Sequence, residues 1–184
     1  MRRTAHGFTM LEILVAMAML AILAGISMPV FSNTMASYRF NGAVWRVLSD
    51  IRYAQSLAVA NSRIYSWHWG GDGGAPGPTQ SRVEKWPGAA CSWPPVADTV
   101  STNGNVITNW YDLAAKDYPG VSILSVKDNG GTTVGAVAFN ARGASQPPSP
   151  CNTVVVYPVT ITVRSPAGAT RTIRVQSAGG VSIQ

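Results

Sequence analysis

Residues 8 to 31, FTMLEILVAMAMLAILAGISMPVF, form an apolar run in which Glu12 is the only formal charge. At a rise of ~1.5 Å per residue such a run, wound as a helix, is about 36 Å long, enough to cross a hydrocarbon layer of roughly 30 Å. A cleaved secretory signal has an apolar core of only ~7 to 15 residues and no acid, so the run reads as an anchor that stays with the protein. Arg2 and Arg3 precede it and mark the end retained in the cytoplasm, which sends everything beyond about residue 32 to the opposite side of the membrane.

The helical pattern does not stop at the membrane boundary. Phe40, Val44, Val47, Ile51, Ala54 and Ala58 recur at intervals of three and four, which predicts one apolar stripe along a helix running to a stop at Asn61-Ser62. Arg39, Asn41, Arg46, Ser49, Asp50 and Tyr53 fall largely on the flanks and the other side. Pro29 and Gly42 lie inside this helix as candidate bends, the first because it removes a backbone donor and the second because glycine is entropically permissive. Beyond Asn61, Gly and Pro are concentrated, as expected of short strands and turns.

The string Gly7-Phe8-Thr9-Met10-Leu11-Glu12 resembles the processing motif of type IV prepilins and type II secretion pseudopilins, and Pro29 stands where many such subunits carry a helix-bending proline. AQSLAVANSR, VAFNARG and TIRVQSAGGVSI are similar, more loosely, to the GspH/FimT subgroup. The resemblance implies an α+β, type IV pilin-like fold: a long N-terminal helix, half transmembrane and half amphipathic, packed on an antiparallel β-sheet head. It divides the chain into a leader at 1–7, a membrane helix at 8–31, its amphipathic continuation at 32–62 and a β-rich head at 63–184. It further implies that prepilin peptidase cuts after Gly7 and methylates the new amine of Phe8, with Glu12 and Pro29 serving assembly.

Glu12 also has a physical reading of its own. An acid inside a lipid-spanning helix costs up to about 2.5–3.5 kcal/mol on insertion, so it calls for a partner, and the amine of a neighbouring subunit's N-terminus is a suitable cation. The alternative is that Glu12 merely sits at the headgroup boundary.

Strands are expected at Arg63–Trp69, Val121–Val126, Val134–Asn140, Thr153–Tyr157 or Val159–Arg164, and Arg171–Gln176, with SPAGA as a hairpin turn and a short strand after Gly179. GGDGGAPGP reads as a loop, and it lacks the Lys and the following helix of a phosphate-binding loop. Trp67, Trp69, Trp86, Trp93 and Trp110 read as packing residues in preference to a stacking surface. His68 stands alone in the sequence, His6 leaves with the leader, and no metal cluster, cofactor site or nucleophile-base-acid set is legible. An enzyme is therefore not expected. Cys91 and Cys151, an even pair on the oxidising side of the membrane, are expected to form a disulfide, with two separate thiols as the alternative.

The expected function is that of a minor pilin or pseudopilin, a subunit that helps initiate or cap a type IV pilus or a type II secretion pseudopilus. Its partners would be other pilins or pseudopilins, prepilin peptidase and the bacterial inner membrane. A second function class is DNA binding in DNA uptake, as the resemblance to FimT-type proteins implies. Arg142, Arg164, Arg171 and Arg174 follow Asp128 with no later acidic residue, and clustered cations are what phosphates require. The chain nevertheless ends AGGVSIQ, without the arginines often found there in that subgroup.

Overall fold

A computed structural model describes residues 8–71, 77–88, 100–101, 103–115, 117–147 and 155–184, without the side chains of residues 28–30. Its elements are α1 (Met10–Asn61), β1 (Tyr65–Gly70), β2 (Gly77–Lys85), β3 (Tyr111–Asp112), β4 (Ser122–Lys127), β5 (Ala136–Phe139), β6 (Ser145–Gln146), β7 (Val159–Arg164), β8 (Thr170–Val175) and β9 (Val181–Ile183). Two compact units divide the chain, Met1–Tyr38 and Arg39–Gln184.

The first unit is the N-terminal part of α1. Every side chain described in it is exposed, including Leu14, Met17, Leu20 and Leu23. The helix is rich in Ala, Leu and Met, strong helix formers, and remains helical through Pro29.

In the second unit the continuation of α1 buries the predicted stripe in full: Phe40, Val44, Val47, Ile51, Ala54 and Ala58 all belong to one core. Burying each large aliphatic side chain contributes roughly 1.5–3 kcal/mol, enough to hold the helix on its sheets without help from propensity. The helix ends where expected. Ser62 takes a left-handed φ of 50°, and the Arg63 amide donates to the Ala58 carbonyl at 3.2 Å, satisfying an acceptor at the helix end. Gly42 has a different role from the bend expected of it. The helix continues through it, and a Cβ at this position would stand 2.8 Å from the Tyr118 ring, so the glycine admits an aromatic side chain against the helix backbone.

The head holds two antiparallel sheets where the sequence pointed to one. The first has the order β3-β2-β1-β5-β6 and the second β4-β7-β8-β9. Trp67, Trp69, Val83, Val137 and Phe139 of the first sheet and Val159, Ile161, Val163, Ile173 and Val175 of the second share the core with the helix stripe. Strand β2, absent from the sequence reading, lies inside the first sheet, pairing β1 along Tyr65↔Lys85 to Trp69↔Ser81. Of the two alternatives around residue 157, the strand is Val159–Arg164; Val155–Tyr157 is not strand, and residues 153 and 154 lie outside the described residues, as do residues 72–76 of the glycine-rich loop.

Four turns in the head share one construction. Asp128, Asn140, Ser165 and Gln176 each accept at their carbonyl from the amide of a glycine three residues on, and each donates its own amide to the carbonyl four residues on. The glycines, Gly131, Gly143, Gly168 and Gly179, have φ between 77° and 88°, the left-handed conformation this bulged hairpin turn requires. Two of the four are tied to the helix: Gln55 Nε2 donates to the Gly143 carbonyl at 2.7 Å and to the Gly179 carbonyl at 2.9 Å. One side chain thus joins α1 to a turn of each sheet, and the two turns belong to VAFNARG and TIRVQSAGGVSI, the strings that carried the looser family likeness.

Candidate functional site

The helix begins with Thr9. Its Oγ1 accepts from the Glu12 amide at 3.2 Å, and its carbonyl accepts from the amides of Glu12 at 3.1 Å and Ile13 at 3.3 Å. Thr9 is thus the N-cap and Glu12 the third helical residue, the spacing of a capping box, with a carboxylate placed in the first turn where the helix dipole favours it. This local role for Glu12 was readable in Thr9-Met10-Leu11-Glu12 and escaped the sequence reading. Phe8, Glu12, Ile13, Ala16, Met17 and Leu20 line a shallow depression on one face of the helix. Glu12 has no ion-pair partner among the described residues. The arrangement offers one acceptor in an exposed apolar face, ready for a cation supplied from outside. Gly7 lies outside the described residues, and the side chain of Pro29 is likewise not described.

A second polar cluster is buried in the head. On the face of the first sheet turned away from the core, Glu84 binds Arg82 through Oε1 and stands 3.3 Å from His68 Nε2 through Oε2, while the Arg82 guanidinium lies 4.5 Å from the centre of the Trp110 ring. His68 is therefore not alone, although its partners come from β2. Burial, and then the charge of Arg82, push the His68 pKa down to about 3, which leaves the imidazole neutral at ordinary pH. Ser66 is on the same face, opposite Glu84, but its Oγ has no hydrogen-bond partner among the described residues. Serine, histidine and acid are thus near one another without a nucleophile-base bond among the described residues; Ser66 and Glu84 are buried, and the His68 side chain keeps 15% of its surface exposed. Trp67, Trp69 and Trp86 are buried, Trp110 is half-buried, and Trp93 lies outside the described residues. No group of metal-ligating side chains occurs among the described residues.

Comparison with known proteins gives the N-terminus and the fold separately. Residues 2–28 match the family model of the prokaryotic N-terminal methylation motif. The structure is similar to that of the Pseudomonas aeruginosa (strain PAO1) type IV minor pilin FimU, with a TM-score of 0.51 at 17% sequence identity over 80% of this chain and 90% of that one. The fold of this chain is type IV pilin-like. A second crystal form of FimU gives a TM-score of 0.49 at 16% identity over 78% of this chain and 91% of that one. No curated protein matches the chain at significance.

The four arginines of this pilin-like head are not gathered into one patch. Strand register places Arg164 opposite Ser122 and Thr170, and Arg174 opposite Thr160 and Ser182, on the outward face of the second sheet, where Lys127 is also paired with Thr160. Arg171 alternates to the other face, opposite Val163, and is exposed at the strand end; Arg142 is exposed in the turn after β5 of the first sheet. Lys127 escaped the sequence reading; a register shift between Ile123 and Ser125 breaks the alternation of SILSVK, and the signal is confined to the Ser-Val-Lys at its end. The outward face of the second sheet thus presents Lys127, Arg164 and Arg174 among threonines and serines, and its four strands contain no acidic residue.

Proposed function

We propose that the chain is a minor pilin or pseudopilin, a non-enzymatic subunit that helps initiate or cap a type IV pilus or type II secretion pseudopilus. The observation that carries this reading is the helix start: one acid, in the first turn after the Thr9 cap, on an otherwise apolar and exposed N-terminal segment of α1 that matches the N-terminal methylation motif. The helix includes a segment long and apolar enough to cross a membrane. In the proposed cycle the chain enters the inner membrane with Arg2 and Arg3 on the cytoplasmic side and the head in the periplasm. Prepilin peptidase cuts between Gly7 and Phe8, and the methylated amine of Phe8 retains its charge. Glu12 then receives the amine of a neighbouring pilin, an attraction strengthened in the low dielectric of the membrane. Pro29 gives the helix the local freedom to fit beside its neighbours.

Expression beside prepilin peptidase and the partner pilins tests this. The mature chain should start at methylated Phe8 by intact mass. Glu12→Val should insert in the membrane at least as well as the parent but be depleted from co-purified filament subunits. A start near residues 24–26, or full recovery of Glu12→Val with its partners, would refute the reading.

The acid-free face of the second sheet favours a second reading, DNA contact during uptake. Three cations contacting phosphates imply a slope of log affinity against log salt of about −3 on duplex DNA. Lys127→Gln with Arg174→Gln should reduce that slope by about two; a flat salt response would remove this reading.

A further inference from the structure

Strand β9 forms one edge of the second sheet. The Gln184 amide donates to the Thr172 carbonyl at 2.9 Å, and the Gln176 amide donates to the Gly180 carbonyl at 2.8 Å, which fixes the alternation of the β8–β9 ladder. Residues 182 and 184 therefore turn their backbone groups toward β8, and Val181 and Ile183 turn theirs outward. Of these outward groups one is occupied: the Val181 carbonyl accepts from Arg52 on α1, at 3.3 Å. The amide of Val181 and both backbone groups of Ile183 have no backbone partner among the described residues.

The helix supplies a wall beside this edge. Gln55 reaches Gly179 and Arg52 reaches Val181, so α1 and β9 run in opposite directions past these two contacts. Seven residues before Arg52, on the same helix face, stands Trp45, 59% exposed in a unit whose other tryptophans described are buried or half-buried. An unpaired strand edge with a guanidinium on it, and an exposed indole two turns away on the same helix face, are the parts of a strand-addition site, in which backbone bonds give affinity and side-chain contacts give selectivity.

We propose that the β9 edge accepts an extended, acidic segment of another polypeptide as an added antiparallel strand. Charge decides the class of partner. Arg52 sits on the edge and Arg171 and Arg174 lie on β8, the strand next to it, while the nearest acid along the helix, Asp50, faces away from Arg52 and is paired with Arg46. A second copy of this chain would bring two sets of these arginines together, which opposes pairing of β9 with itself. An incoming carboxylate is a stronger acceptor for Arg52 than the carbonyl it holds at 3.3 Å, and the added chain would cover Trp45. This inference is independent of the role proposed for Glu12.

The test uses the full chain in detergent and a fluorescent, end-capped pentapeptide alternating glutamate with valine. Saturable binding is expected in anisotropy. Replacing glutamate by lysine in the peptide, or N-methylating its amides along one edge, should each weaken binding at least tenfold. Arg52→Gln should do the same. Ile183→Pro, which removes an outward amide and leaves the ladder to β8 intact, should abolish binding, whereas Ile183→Ala should retain it. Equal binding of the N-methylated peptide, or equal loss in Ile183→Ala and Ile183→Pro, would overturn strand addition. Dimers of the chain that Ile183→Pro dissolves would overturn the choice of partner.

Discussion

Gly179 and Gly168 make a controlled pair. Both occupy the same position of the same turn, and both have a φ of 88°. A Cβ at Gly168 meets nothing within 4 Å, whereas one at Gly179 would stand 2.0 Å from the Gly143 carbonyl oxygen and 2.7 Å from Gln55 Nε2. Gly168→Ala therefore incurs only the left-handed conformation, about 1–2 kcal/mol. Gly179→Ala incurs that and forces the two turns apart, adding roughly 1–3 kcal/mol of overpacking and about 1 kcal/mol for each of the two Gln55 hydrogen bonds. The expected losses are about 1–2 and about 4–7 kcal/mol. For a head of this size they correspond to Tm shifts of roughly 2–8 °C and at least about 8 °C. Thermal unfolding of the full chain in detergent, followed by near-ultraviolet circular dichroism, reads both. Gln55→Ala in the Gly179→Ala background should give no rescue, because the closest obstacle is backbone. Equal shifts in the two alanine variants would show that the clamp between α1 and the two turns has no energetic weight.

Acid should destabilise the head through His68. Its pKa, near 6.5 in an unfolded chain, falls to about 3 in the folded one, so the unfolded state takes up the proton first and stability is lost as pH falls from about 6.5 toward 3. Between pH 6.5 and 5, above the carboxylate range, Tm should fall in the parent and fall less in His68→Gln; parallel profiles would show that His68 is not held neutral. Cys91 and Cys151 lie outside the described residues, and we propose that they are bridged. A loop of about 60 residues would contribute roughly 4 kcal/mol in the chain-entropy model. Thiol labelling of the denatured, unreduced chain should find no reactive thiol before reduction and two after, and two from the start would refute the bridge.

The helix was legible because its signal is periodic and local: the stripe from Phe40 to Ala58 records which face is buried, and Asn61-Ser62 records where the chain turns out of the helix. The β7–β8 hairpin was legible for the same reason, since one of its faces is wet and its residues alternate. Strand β2 was not. Ser81, Arg82, Val83 and Glu84 are all buried, so both faces are covered and the expected alternation between apolar and polar residues does not arise. Strands of two residues, such as β3 and β6, are too short to carry a pattern. The Gln55 contacts span 88 and 124 residues and leave no local trace at all. At the helix start Glu12 stands out as the one charge in an apolar run, whereas Thr9, which caps the helix, is one of several small polar residues there and carries little signal alone.

Glu84, shared by Arg82 and His68, also limits how the first sheet can be misassembled. Side chains alternate along a strand, so sliding β2 by one residue against β1 would carry Arg82 and Glu84 into the layer now held by Val83, Trp67 and Trp69, and would turn Val83 outward. A hydrophobic strand slipped in this way finds another greasy surface and loses little. Here the slip would strand two charges in hydrocarbon while separating them from His68 and Trp110. The buried ions are weak evidence for stability as such, since well-packed apolar residues would serve as well. What they supply is a key that fits one register, in a strand whose glycine- and proline-rich beginning gives no other means of choosing it.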